Sequence, residues 1–109
     1  MNALDAFQSM DLRVGRVLRA EFNPEAKTPS FKLWIDFGPL GEKTSSSHLV
    51  ERYTPETVVG RLVIAAVNLG SRRVAGFVSE VLVMGLPDED GHVVLLSVER
   101  EVPLGGRVY

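Results

Sequence analysis

The chain has no cysteine, which excludes disulfide frameworks, thiol nucleophiles and thiolate metal sites. No apolar run approaches the ~20 residues needed to span a bilayer as a helix. The opening, Met1-Asn2-Ala3-Leu4-Asp5-Ala6-Phe7, has neither a basic segment nor a long apolar stretch. No secretory signal or membrane insertion is therefore expected, and a cytoplasmic address is the default. Amides are confined to Asn2, Gln8, Asn23 and Asn68. Few thermolabile groups point towards a thermophilic source, although the scarcity of lysine runs the other way. Histidine is nearly absent too, limited to His48 and His92.

What remains is an ordinary globular composition, 45% apolar and 24% charged over 109 residues. That length fits one domain, residues 1–109, with enough chain to bury a real core. The net charge of −2 argues against binding nucleic acid through bulk positive charge. The distribution matters more than the sum. From Thr57 to Ser79 there is no acidic residue, while Arg61, Arg72 and Arg73 are present. From Glu80 to Glu101 the acids Glu80, Asp88, Glu89, Asp90, Glu99 and Glu101 face Arg100 alone. Segregation of this kind gives a local basic patch on an acidic protein, or simply a solvated face.

Hydrophobic periodicity predicts a mainly β fold. Residues 3–10 read as a short helix with Leu4 and Phe7 on one side, too small to stand alone. Leu12 to Phe22 reads as a strand with Leu12, Val14, Leu18, Ala20 and Phe22 at even spacing. Arg16 breaks that phase beside Gly15, which predicts a bulge there and a strand shared by two sheet regions. Glu42 to Leu49 reads as a polar strand. Thr54-Pro55-Glu56 followed by Gly60 reads as a capped helical turn. Leu62 to Val67 is continuously apolar, as a central strand would be, and Phe77 to Met84 reads as another strand. Pro87 to Gly91 makes a turn into Val93–Val98, and Val102–Val108 reads as an edge tail. The order matches a five-stranded Greek-key barrel of the OB type, with a short helix between strands three and four. Residues 1–10 form an N-terminal extension, and 86–109 a C-terminal hairpin and tail.

The segment Phe31-Lys32-Leu33-Trp34-Ile35-Asp36-Phe37 alternates cleanly. It puts the only tryptophan on the polar side with Lys32 and Asp36. Either something folds over Trp34 within the protein or with a second subunit, or the indole receives a ligand. OB barrels bind oligomers across strands two and three and their neighbouring loops, using aromatic stacking and basic grooves. Lys32 and the Arg72-Arg73 pair supply cations for such a groove.

Chemistry finds little support. Ser47 and His48 are adjacent on a strand, so their side chains point to opposite faces, and no strand-to-helix elbow surrounds them. His48 and His92 lie on separate segments, and Asp88-Glu89-Asp90 lacks the oxygen set of a calcium loop. No metal, cofactor or catalytic residue is expected.

Asp11-Leu12-Arg13-Val14-Gly15-Arg16-Val17 resembles the opening motif of the tRNA-binding domain family. Tyr53-Thr54-Pro55-Glu56, Val59-Gly60, Val67-Asn68-Leu69, Arg72 to Phe77 and Ser79-Glu80 follow in the family's order, over about Asp11 to Val108. Lys32 to Gly38, Arg73 to Leu82 and Glu101-Val102-Pro103 resemble a branch of short bacterial members regarded as secretion-related chaperones. The resemblance implies an OB barrel, a homodimer and no catalysis. It also implies two ligands: structured RNA such as tRNA, and unfolded preprotein segments, with the export machinery as a further partner. On that basis Asn68, Arg72, Arg73, Ser79 and Glu80 are carried over as RNA-binding candidates. The strand argument adds Lys32 to them and makes Trp34 the peptide contact. Where tRNA-binding members continue Gly-Met after Ser79-Glu80, this chain has Val81-Leu82. Leu4, Phe7, Val102, Leu104 and Val108 are apolar residues beyond a minimal barrel and are expected at a dimer interface. A dedicated tRNA-binding protein or synthetase accessory is the alternative reading.

Overall fold

The computed structural model describes residues 1–109. A helix α1 (Ala3–Ser9) precedes a long strand β1 (Leu12–Asn23), followed by β2 (Ser30–Asp36) and β3 (Glu42–Ser47). A short α2 (Pro55–Val58) leads into β4 (Leu62–Ala66). Two small hairpin strands, β5 (Arg72–Val74) and β6 (Phe77–Ser79), come before β7 (Leu82–Val83). A second hairpin, β8 (Gly85–Pro87) and β9 (Val93–Leu95), precedes the tail. The main sheet has the antiparallel order β3-β2-β1-β4-β7 and curls into a half-barrel of the OB type.

The alternation of β2 decides which side is inside. Phe31, Leu33, Ile35 and Phe37 are buried, while Lys32, Trp34 and Asp36 are half-buried on the outer side. The first four join Val17, Leu49, Val58, Val63, Ala65 and Val81 in one core. Each of these except Ala65 contributes about 1.5–3 kcal/mol by leaving water. The capped turn forms as predicted. Thr54 Oγ1 accepts from the Thr57 amide at 3.2 Å, Pro55 opens the helix, and Val58 is buried among the strands.

β1 serves two sheet regions, as its broken phase predicts, but the irregularity lies elsewhere. Residues 12–16 pair with β4, residues 16–23 pair with β2, and the register slips between Val17 and Arg19. The bulge is therefore at Leu18, which is 45% exposed, and not at Gly15. Gly15 instead marks a close approach: a Cβ there would lie 2.6 Å from Ile35 Cγ2 and 2.7 Å from Phe37 Cε1. Only glycine lets β2 curl this tightly over β1. The extra residue at 18 has a second effect. Arg16 lies opposite Asp36 and Arg19 opposite Trp34, so both arginines join the outer face although they are three residues apart.

The expected strand Phe77–Met84 is broken into β6 and β7 by a bend that closes the barrel. The Thr44 carbonyl accepts from the amides of Glu80 and Val81, at 2.8 and 3.1 Å. Glu80 Oε1 accepts from the Thr44 amide at 3.0 Å and its hydroxyl at 2.9 Å. Ser79 Oγ accepts from the Ser46 amide at 2.9 Å. The strand expected over 93–98 ends at Leu95, and Leu96 donates its amide to the Met84 carbonyl at 3.0 Å.

The tail runs beside the start of β1. The Val14 amide donates to Gly106 O at 3.0 Å, and the Gly105 and Val108 amides donate to Val14 O and Leu12 O, each at 2.8 Å. Helix α1 buries no residue despite its apolar side. It is moored by polar groups: Asn68 Nδ2 donates to Ser9 O at 2.9 Å, and Arg107 Nη2 to Gln8 O at 2.9 Å. No helix is long and apolar enough to cross a membrane.

Candidate nucleic-acid interface

The two alternatives for Trp34 are each met in part. The β5–β6 hairpin lies over it, with the Phe77 ring centroid 5.4 Å away in an edge-to-face arrangement. From the other side the Arg19 guanidinium sits 4.2 Å from the indole centroid. The indole is nonetheless not sealed off and keeps part of its surface in solvent. Lys32 Nζ lies 5.6 Å from the Phe77 ring and completes a row of two adjoining aromatic rings with a cation at each end. Such a row offers flat apolar faces to bases and positive charge to phosphates.

The hairpin holds its arginines out. Its two-residue turn, Ala75-Gly76, has positive φ at both positions, 48° and 81°. That geometry fits the twist of a tight hairpin but costs a residue with a Cβ roughly 1 kcal/mol. Phe77 and Ser79 face the barrel. Arg73, on the opposite side, is exposed and donates to Gly76 O at 3.2 Å. Arg72 is also exposed and lines two adjoining clefts beside Ser46, of about 260 and 310 Å³. Neither Arg72, Arg73 nor Lys32 has a carboxylate partner. Arg19 does, in Glu21.

The other carried-over residues are engaged within the fold. Asn68 accepts from the Asp11 amide at 3.0 Å while holding Ser9, so it fastens α1 to β1. Ser79 is buried, and with Glu80 it pins the barrel seam. The structure thus sets Lys32 and Trp34 on one face, with Arg72 on the neighbouring hairpin beside Ser46; Arg73 lies on the hairpin's far side, and Asn68 is apart from them. It adds Arg19 and Phe77, which reading the sequence did not single out. The register that sets Arg19 opposite Trp34 is not visible in the alternation of β1 alone, and the folded-back hairpin hid the role of Phe77.

Among the proposed interface residues, Leu4 is 63% exposed, Phe7 43% and Val102 36%, while Leu104 and Val108 are half-buried against the barrel. His48 points outward, away from the buried Ser47, whose hydroxyl pairs with Ser45 at 3.0 Å. Asp88, Asp90 and His92 bring ligand atoms within 4.8 Å of one another. Both carboxylates are taken by Arg52, at 2.6 and 2.9 Å. The hydrogen bond from that guanidinium holds the Asp88 carboxyl down at about 2.

Known proteins share both this fold and much of this sequence. The pattern of the family described as "Putative tRNA binding domain" matches residues 12–107. The methionine–tRNA ligase of Archaeoglobus fulgidus is 38% identical over 106 residues, 97% of this chain. This chain spans only 16% of that ligase's length. The solved chaperone CsaA from Bacillus anthracis is 46% identical with a TM-score of 0.92, covering 100% of this chain and 99% of that one. The CsaA chaperone from Picrophilus torridus is 34% identical with a TM-score of 0.91, each chain covered in full (100%). On the match over 12–107 and these likenesses, the chain belongs to the tRNA-binding domain family.

Proposed function

We propose that this chain binds structured RNA, with tRNA as the ligand class, and transforms nothing. The observation that carries the reading is the Arg19–Trp34–Phe77–Lys32 row beside the unpaired Arg72 and Arg73. Folded RNA is recognised mostly through shape and phosphates, with exposed bases taken up by aromatic rings. Arginine forks suit phosphate because they donate two parallel hydrogen bonds. Trp34 is the sole tryptophan, so its fluorescence reports the face directly. On titration with tRNA at several salt concentrations, log affinity should fall steeply with log salt. A flat line, or no binding at low salt, removes the reading.

The functional unit is a homodimer and residues 1–109 act as a single domain in the cytoplasm. Exposed Leu4, Phe7 and Val102, beside Leu104 and Val108, support the pairing as a place to bury apolar surface. A monomeric mass in sedimentation would remove it. The likeness to solved CsaA chaperones favours a second ligand, unfolded preprotein segments, in export-related chaperoning. Aggregation of an unfolded model protein should then be suppressed, less so by Trp34→Ala. The ligase relative supports the narrower alternative, a dedicated tRNA-binding or synthetase-accessory role. Competition between tRNA and a fluorescent unfolded peptide separates these: no peptide binding leaves the narrower role.

A further inference from the structure

Beyond the Trp34 face there is an open cleft of about 490 Å³ between β1, the stretch Gly60–Leu62 that enters β4, and the chain from β9 to Glu101. Three arginines enter it. Arg16 is anchored, its Nη1 donating to Gly60 O at 2.8 Å and its Nη2 to Glu101 at 2.5 Å. Arg61 lies over the Tyr53 ring at 5.3 Å and donates Nε to Thr57 O at 2.8 Å. Its terminal nitrogens have no protein partner. Arg100 reaches only its neighbour Glu99, at 2.8 Å. The wall is fixed, because Ser97 Oγ donates to Leu62 O at 2.7 Å.

We infer that the Arg16–Arg61–Arg100 cleft is a phosphate-binding site, and that it takes a backbone phosphate of the RNA held on the Trp34 face. The second clause rests on the function proposed above. Three guanidinium groups against two carboxylates leave the cleft with one net positive charge. The carboxylates are replaceable: the Glu101 side chain is 71% exposed, against 32% for Arg16. A phosphate can take the place of Glu101 on the Arg16 fork while Arg61 supplies a second, already oriented donor pair. Arg61 is held by the Tyr53 ring and a backbone carbonyl, so little side-chain freedom is lost on binding. The bulge at Leu18 supplies the continuity. It sets Arg16 and Arg19 on the same outer face of β1, about 10 Å apart along the strand, so one RNA segment can engage both places.

The test uses the full chain, with tRNA and inorganic pyrophosphate as probes and arginine Nε resonances as the local readout. The double variant Arg61→Gln/Arg100→Gln should reduce the salt slope of tRNA binding by about 0.7–0.9 for each phosphate it no longer neutralises. Quenching of Trp34 should persist in it. Glu101→Gln should act in the opposite sense, tightening tRNA binding about two- to five-fold, the range of one exposed ion pair. An unchanged slope in the double variant, with Trp34 still quenched, overturns the cleft while leaving the RNA reading intact. If tRNA does not bind the parent but pyrophosphate moves the Arg16 and Arg61 signals, the phosphate site stands with a small phosphorylated ligand as its source, and the RNA reading falls. Signals unmoved by both probes, or moved only by an acidic unfolded peptide, overturn the site itself.

Discussion

Replacing Trp34 by alanine separates two contributions that most interface mutations confound. In the free protein the change removes the edge-to-face pair with Phe77, worth about 0.5–1.5 kcal/mol beyond burial. It also removes the cation–π contact with Arg19, worth about 0.5–1 kcal/mol at an exposed site. The fold should therefore lose roughly 1–2.5 kcal/mol plus a share for reduced burial. That is less than the ~3–5 kcal/mol of a fully buried aromatic, because the indole is only partly buried. A base stacked on the indole contributes another ~1–3 kcal/mol to binding. At about 1.4 kcal/mol per decade, tRNA affinity should drop roughly 5- to 150-fold. The salt slope should stay where it was, since the indole neutralises no phosphate. Arg73→Ala should do the reverse, lowering the slope by about 0.7–0.9 with a smaller drop in affinity. Urea melts would report the first effect and filter binding across a salt series the second. Parental affinity in a folded Trp34→Ala protein, or a slope that falls with it, would refute stacking on this ring.

Gly15→Ala should destabilise by about 1–3 kcal/mol, read in a denaturant melt, because its Cβ would meet Ile35 at 2.6 Å on a packed strand face. Glu80→Ala should cost about 0.5–1.5 kcal/mol by removing the acceptor of the Thr44 amide, while the Thr44 hydroxyl keeps the Val78 carbonyl at 2.7 Å. Its tRNA affinity, measured on folded protein, should match the parent; a selective affinity loss would make Glu80 a ligand contact. The Asp88 carboxyl, held at about 2 by Arg52 against an ordinary value of 3.8, stabilises the fold above that ordinary value and stops doing so as pH falls through 2. Carboxyl NMR should find its midpoint near 2 in the parent and closer to 3.8 in Arg52→Ala.

The parts of this molecule that were legible in its sequence are those set by neighbours along the chain. Alternation across Phe31–Phe37 gives the inner and outer faces of β2 because successive side chains diverge. Thr54-Pro55 announces α2 because a cap and a ring-locked φ act within one turn. The illegible parts depend on pairings distant in sequence. That Ser79 and Glu80, carried over as RNA-binding candidates by resemblance, also hold the barrel seam shows only once Ser46 and Thr44 arrive beside them, 33 and 36 residues away. Asn68 becomes a fastener only when Ser9 and Asp11 come within reach. Arg19 was invisible for a subtler reason. Its even-spaced apolar neighbours put it on the polar side, but only the slip at Leu18 brings it opposite Trp34, and the sequence pointed to Gly15, where crowding and not slippage is at work.

The knot formed by Arg107 with the carbonyls of Gln8 and Met10, at 2.9 and 3.2 Å, bears on how such a unit is carried by larger proteins. Met1 lies one short helix, about 10 Å, from that knot, and the last residues leave from beside it. Entry and exit share one corner, so a neighbouring polypeptide can be joined at either end, or at both, without prising the barrel open. A unit of this build, inserted as a small fraction of a far longer enzyme, needs only that one corner for its connections.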